Sequence, residues 1–144
     1  MGEQIDDGDL YPDVRPTLAD LRARGLWVGV AGNQTVKAAG LLRALHLPVD
    51  AIVTSGEWDV AKPDPAFFDR VAAFTPAARR ADIVYVGDHR DNDILPAREA
   101  GLRTAMIRRG PWGHLWASDP EVLDAADWRV DSLAELPDLL RPRS

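Results

Sequence analysis

Cysteine is absent from this 144-residue sequence, which excludes disulfide bonds and thiolate-ligated metal sites. No apolar run approaches the roughly 18–20 residues of a membrane-spanning helix, and the first residues lack the apolar core of a signal peptide. The 17 basic residues are outnumbered by 23 acidic ones and form no block typical of nucleic-acid binding. These absences predict a soluble, cytoplasmic protein with neither a membrane nor a nucleic-acid partner.

What the sequence does contain is an alternation of short apolar runs and amphipathic stretches. At this length we expect a single domain, residues 1–144, that buries most of its apolar surface. Short connections favour parallel strands joined by right-handed helical crossovers, which is an α/β fold with a three-layer, doubly wound parallel sheet. The predicted strands cover residues 26–31, 51–54, 83–86, 104–107 and 128–130, the last at an edge, and the predicted helices cover residues 16–24, 35–45, 65–74, 94–100, 120–126 and 133–140.

Two carboxylates follow the strand predicted at residues 83–86. Asp88 stands in a Gly-Asp turn, and Asp93 lies five residues further on. Open α/β sheets place ligands at the carboxyl ends of their strands, and two carboxylates there offer the oxygen ligands that Mg²⁺ prefers. The structural alternative is that Asp88 caps a turn and Asp93 caps the helix that starts near Ile94.

Two segments upstream of Asp88 carry further motifs, and the order of all three along the chain is informative. Lys62 precedes a proline-started helix in Lys-Pro-Asp-Pro, and the strand at residues 26–31 ends in the small polar turn Gly32-Asn33. A strand ending in a polar turn, then Lys-Pro, then Gly-Asp with a second acid resembles the haloacid dehalogenase-like hydrolase superfamily. The resemblance runs from Tyr11 to about Leu140. It implies a core sheet whose central strand carries an Asp-x-Asp pair with the nucleophile.

That nucleophile strand has no counterpart in the first ten residues. Asp7-Gly8-Asp9 fits the letters of the motif, but no apolar segment precedes it, so we interpret residues 1–10 as an acidic lead-in. The chain therefore resembles the back part of the family's core, without a cap domain. The absent strand would lie between residues 26–31 and 83–86. Those strands could close on each other, a second chain could fill the slot, or the natural protein could be longer; we favour closure or a homodimer.

The resemblance also implies a role for each residue of the site. Lys62 would be catalytic, neutralising charge on the transferring phosphoryl group, and Asp88 would be catalytic through the Mg²⁺ that it binds. Asp93 would complete the metal shell or orient its waters and Lys62. Gly32 stands where the family has a phosphate-binding Ser or Thr, so phosphate would be bound by the Asn33 amide and by backbone N–H groups there.

The segment 108–116, predicted to be a loop, allows two interpretations. In the functional one, Arg108 or Arg109 attracts an anionic substrate while Trp112 and Trp116 wall a pocket. In the structural one, the tryptophans plug the end of the core.

Two functional hypotheses follow. The first is the core of a Mg²⁺-dependent phosphomonoester hydrolase that acts on a small phosphorylated molecule and requires a nucleophilic aspartate from a longer chain or a partner. The alternative is a non-catalytic binding or regulatory module of the same fold, which the absent nucleophile and Gly32 motivate. Dehalogenation is a third possibility; it needs the same aspartate but no Mg²⁺.

Overall fold

The structure is a computed structural model that describes residues 11–116 and 118–140. The acidic lead-in expected at residues 1–10 lies outside the described residues. The chain divides into two compact units. One contains the described residues up to Ala61 together with those from Leu133 onward, and the other is Lys62–Ser132.

The first unit carries a two-stranded parallel sheet. Strand β1 (Gly29–Gly32) pairs with β2 (Ala51–Thr54), with Gly29 opposite Ala51. The Thr35 hydroxyl oxygen accepts a hydrogen bond from the backbone N–H of Ala38 at 3.0 Å, so Thr35 is the N-cap of the helix that follows. The helices of this unit are α1 (Val14–Ala23), α2 (Val36–Ala44), α3 (Ser55–Trp58) and α8 (Leu136–Leu139), with a 3₁₀ turn at Leu133–Glu135.

The second unit carries a three-stranded parallel sheet in the order β3-β4-β5. Its strands are β3 (Val84–Gly87), β4 (Arg103–Ile107) and β5 (Trp128–Val130). A 3₁₀ turn covers Arg80–Asp82, and a π-helical turn, Arg90–Ile94, follows β3. The helices are α4 (Pro65–Phe74), α5 (Leu95–Glu99), α6 (Gly110–Trp116) and α7 (Pro120–Ala125).

The α/β class and the parallel strands are confirmed, and β5 lies at a sheet edge as predicted. The described ladders belong to two sheets, so the closure of strands 26–31 and 83–86, one of the two favoured alternatives, is not found among the described residues. The homodimer stays a prediction. No helix among the residues that the structure describes is long and apolar enough to cross a bilayer.

Two local predictions are also wrong. Residues 110–116 form α6 rather than a loop. The glycines that favour a loop, Gly110 and Gly113, are accommodated in this helix. Gly110 adopts φ +66° at its start, and a Cβ at Gly113 would lie 2.7 Å from the Ile107 carbonyl oxygen. The 3.6-residue apolar period of Val36, Ala39, Leu42 and Leu45 predicts one buried stripe on this helix, yet Val36 is 60% exposed. It lies in the first turn of α2, whose buried residues are Ala38 and Ala39.

Candidate functional site

Lys62 is positioned by the helix that follows it. Asp64 caps α4 by accepting a hydrogen bond from the Ala66 N–H at 2.9 Å, and Pro65 occupies the first turn. Phe67 and Phe68 on the same helix are fully buried. The chain just before α4 is therefore anchored, and the Lys62 side chain is only 13% exposed.

The ammonium group of Lys62 is paired with Asp93. Lys62 Nζ lies 2.5 Å from Asp93 Oδ1, and the Asp93 side chain is 6% exposed. Asp93 Oδ2 accepts a hydrogen bond from the backbone N–H of His89 at 3.2 Å. Both carboxylate oxygens are therefore engaged, and Asp93 accepts from a residue upstream instead of capping the next helix.

Two features fix the turn that carries Asp93: a side-chain cap at its first residue and a glycine on the adjoining strand β3. The His89 ring caps the π-helical turn, since its Nδ1 accepts from the Asn92 N–H at 3.0 Å. A Cβ at Gly87 would lie 2.5 Å from the Asp93 Cβ, Cγ and Oδ2 atoms. Only glycine leaves room for the carboxylate at this distance from the strand.

Asp88 occupies the position immediately after β3, next to the start of α6. It is half-buried, and a Cβ built on Gly110 would lie 3.7 Å from Asp88 Oδ2. Burial, followed by the negative charge of Asp93, raises the pKa of the Asp88 carboxyl. A cation bound at Asp88 would relieve both effects.

Lys62 retains its charge in this environment. Burial disfavours the ammonium form, but Tyr85 and Asp93 outweigh burial, and the pKa of Lys62 lies above its ordinary value. Lys62 Nζ is 5.6 Å from the centre of the Tyr85 ring. Sequence reasoning missed Tyr85; the available signal was one aromatic hydroxyl within the aliphatic run 83–86.

The structure thus brings Lys62, Asp88 and Asp93 together. Gly32 and Asn33 belong to the other unit, where Gly32 ends β1. Arg108 follows β4, but its Nε lies 2.8 Å from Asp131 Oδ1 in an exposed ion pair.

The loop after β1 is held by uncharged hydrogen bonds to α3. The Gln34 N–H donates to Ser55 Oγ at 3.1 Å, and the Gly56 N–H donates to the Gln34 carbonyl at 2.9 Å. A Cβ at Gly32 would meet only Gln34 Cγ, at 3.9 Å, so the backbone leaves room for a side chain. Around this loop lies a shallow depression lined by Asn33, Gln34, Thr35, Ser55, Gly56, Asp59, Val60 and Ala61.

The two tryptophans of α6 behave differently. Trp112 stacks on Trp116 with ring centres 5.1 Å apart, and His89 contacts both rings. Trp116 packs against the core cluster around Ile94, while Trp112 is 47% exposed. The structural interpretation holds for Trp116, whereas Trp112 presents an aromatic face.

The described residues offer few oxygen ligands for Mg²⁺ near Asp88. The described residues contain no group of three or more His, Asp or Glu side chains placed to bind a metal ion. Mg²⁺ commonly binds through one or two carboxylates, with water and substrate phosphate completing its shell. A half-buried Asp88 with a raised pKa fits such a partial site.

Known proteins match this chain in sequence and in fold. The sequence matches the haloacid dehalogenase-like hydrolase family over residues 2–101. It is 34% identical over 134 residues to the glyceraldehyde 3-phosphate phosphatase of Methanocaldococcus jannaschii, covering 91% of this chain and 56% of that protein. It is 35% identical over 132 residues to the phosphoserine phosphatase of Thermus thermophilus, covering 88% of this chain and 49% of that protein.

The fold has a counterpart in the crystal structure of a phosphatase of this superfamily from Thermococcus onnurineus. The TM-score is 0.69 at 26% identity, covering 91% of this chain and 58% of the other. The chain spans about half the length of the curated relatives it matches. The family match over residues 2–101, together with the shared fold, shows that this chain belongs to the haloacid dehalogenase-like hydrolase family.

Proposed function

We propose that this chain forms part of a Mg²⁺-dependent phosphomonoester hydrolase that acts on a small phosphorylated molecule in the cytoplasm. One observation carries the proposal: a buried lysine ammonium lies 2.5 Å from Asp93, and the charges of this pair act on the half-buried carboxyl of Asp88. The phosphatase names of the relatives support the reaction class, and the absence of cysteine supports the compartment.

Lys62 supplies positive charge for the transferring phosphoryl group. Electrostatic stabilisation of this kind requires a donor that is positioned before the reaction begins. Asp93 provides that positioning, because it binds Lys62 with one oxygen and the His89 N–H with the other. Asp93 therefore acts on the reaction through Lys62 and on the metal through bound water.

Asp88 is the protein ligand of Mg²⁺ in this proposal. Bound there, Mg²⁺ would offset the negative charge of the phosphoryl oxygens. Asn33 contributes an amide donor for phosphate beside Gly32, and Arg108 attracts anions from its exposed position after β4.

The nucleophilic aspartate comes from a longer form of the protein or from a second copy of the chain. Either source is open, because each described sheet has edge strands with backbone groups left to pair. Light scattering combined with an activity assay distinguishes the two sources. A dimer of this chain that hydrolyses phosphate esters supports a second copy as the source. Activity confined to the longer gene product supports the longer form of the protein.

Hydrolysis of p-nitrophenyl phosphate with and without Mg²⁺ tests the function, in this chain and in the full product of its gene. Asp88→Asn and Lys62→Met should each reduce the rate by about 100-fold or more. Asp91→Asn, an exposed carboxylate on the same turn, and Lys37→Met, on the exposed face of α2, are the matched controls and should leave the rate unchanged. A rate equal to buffer in both forms of the protein rejects the proposal.

Gly32 favours the alternative of a non-catalytic binding or regulatory module, because it lacks the hydroxyl that would hold phosphate during the reaction. The backbone has room for a side chain there, so Gly32→Thr should bind inorganic phosphate more tightly; Gly40→Thr, on an open face of α2, is the control. Calorimetry that detects phosphate binding by the full gene product, without any turnover, identifies the binding module.

A further inference from the structure

Tyr85 connects β3 to the segment that carries Lys62. It is 8% exposed, and its ring meets the Phe68 ring edge to face, with centres 5.2 Å apart at 71°. Phe68 packs in the same way on Phe67. Because α4 carries both phenylalanines and follows Lys62 directly, this aromatic contact holds the lysine's backbone against the strand.

The phenol also contacts the lysine side chain. Lys62 Nζ is 5.6 Å from the ring centre, within the range of a cation–π contact. Tyr85 is also one of the groups that hold the pKa of Lys62 above its ordinary value. Burial raises the pKa of Tyr85 to about 12, so the phenol is neutral at physiological pH. Tyr85 and Asp93 therefore bind the same ammonium, but only Asp93 offsets its charge.

We infer that Tyr85 is a positioning residue for Lys62. A second carboxylate in its place would fix the ammonium equally well but would cancel the charge that phosphate needs. A neutral phenol can hold the ammonium without adding negative charge. The ring contact stands on geometry; its value for catalysis rests on the proposed function of Lys62.

The composition of the chain supplies the controls for a test. Its two lysines are Lys37 and Lys62, and its two tyrosines are Tyr11 and Tyr85. Lys37 and Tyr11 are exposed. Competitive trace acetylation, read by mass spectrometry across a pH series, gives the pKa of Lys62 with Lys37 as an internal standard.

Tyr85→Phe keeps the ring and removes the hydroxyl. The midpoint of Lys62 acetylation should fall by about one pH unit, because a polar group that favours the ammonium form is lost. The Lys62-to-Lys37 reactivity ratio in mildly alkaline buffer should then rise about tenfold. Tyr11→Phe should change neither quantity.

A purely structural role predicts a different result. Phe67→Leu weakens packing on the same helix while keeping the Tyr85 hydroxyl; it should lower the unfolding midpoint and leave the Lys62 pH midpoint in place. Loosening alone would raise Lys62 reactivity at every pH without moving that midpoint. An unmoved midpoint in folded Tyr85→Phe overturns the inference even if the phosphatase assay succeeds. A moved midpoint supports it even if that assay fails.

Discussion

The loop after β1 and the turn after β3 both end a parallel strand, yet they are stabilised by different chemistry. Around the first, backbone and hydroxyl groups of Gln34, Ser55 and Gly56 exchange neutral hydrogen bonds in exposed surroundings. Around the second, the charged side chains Lys62 and Asp93 are buried together. Neutral hydrogen bonds thus hold the first loop. The second region is held by the buried charges of Lys62 and Asp93 and is called the electrostatic centre below.

This difference determines how each region tolerates change. A neutral hydrogen bond contributes about 1 kcal/mol net, and water can replace it where the groups are exposed. A buried charge that loses its partner has no such substitute, because the remaining ion stays desolvated. Substitutions that separate Lys62 from Asp93 should therefore cost more than the loss of a neutral hydrogen bond in the loop after β1.

Lys62→Met should give the largest effect. It leaves Asp93 as a buried carboxylate without its ammonium partner, and we expect a loss of about 3–5 kcal/mol in the free energy of unfolding. Urea denaturation measures the loss, with Lys37→Met, at an exposed position, as the control expected to stay within about 0.5 kcal/mol. Equal effects of the two substitutions would mean that the pair contributes nothing beyond a surface contact.

Gly87→Ala should rank second. Its Cβ would lie 2.5 Å from three atoms of Asp93, so the carboxylate must move away from Lys62, at a cost of about 1–3 kcal/mol. Gly56→Ala provides the counterpart in the loop after β1, since its Cβ would lie 2.7 Å from the Val36 nitrogen. Both should lower the urea midpoint, but only Gly87→Ala should move the pH midpoint of Lys62 acetylation. A shift in both variants would remove the distinction between the two regions.

Sequence reasoning predicted the turn after β3 well, because its signals are local. An apolar run followed by Gly-Asp places Asp88 at a strand end, and Lys-Pro-Asp-Pro places Lys62 before a helix. A helix that leads into a parallel strand runs opposite to it, so Lys62, just before α4, lies near the carboxyl end of β3, where Asp93 follows. The roles of these residues stay predictions, because they depend on a substrate.

The remaining features depend on tertiary contacts that spacing does not show. The amino-acid sequence alone does not show that His89 caps a π-helical turn or that Tyr85 contacts Lys62. Segment 110–116 has Gly110 and Gly113, which normally disfavour a helix. Here Gly110 adopts a positive φ, and Gly113 avoids a close contact with the Ile107 carbonyl oxygen. Val36 fits a 3.6-residue apolar period but lies in the first turn of α2, outside its buried face.

Thr35→Ala tests the uncharged region directly. It removes the hydroxyl that caps α2 and should destabilise the protein by about 1 kcal/mol. Thr35→Ser restores the acceptor and should recover most of the loss. Urea midpoints at low and high salt provide the measurement, and the Thr35→Ala effect should be the same at both because no charge is involved. A strong salt dependence would show that this loop, too, depends on charge.

Asp88→Asn should have the smallest effect and the opposite sign. The pKa of Asp88 is raised by burial and by Asp93, so the folded state binds the Asp88 proton more tightly than the unfolded state. Stability therefore falls as the pH rises from the ordinary Asp value to the raised one, and the deficit persists above it. Asparagine avoids this deficit and should raise stability near neutral pH by less than about 1 kcal/mol, a modest value because the site is only half-buried.

The advantage of Asp88→Asn should shrink when the pH is lowered below the ordinary Asp range, where both side chains are neutral. It should also shrink when Mg²⁺ is added, because a cation at Asp88 stabilises the wild-type carboxylate alone. Thermal unfolding at the two pH values, with and without Mg²⁺, measures both effects, and Asp91→Asn controls for the loss of one exposed acid. A wild-type protein that Mg²⁺ leaves unchanged would show that Asp88 is buried for a structural reason, and the electrostatic centre would then consist of Lys62 and Asp93 alone.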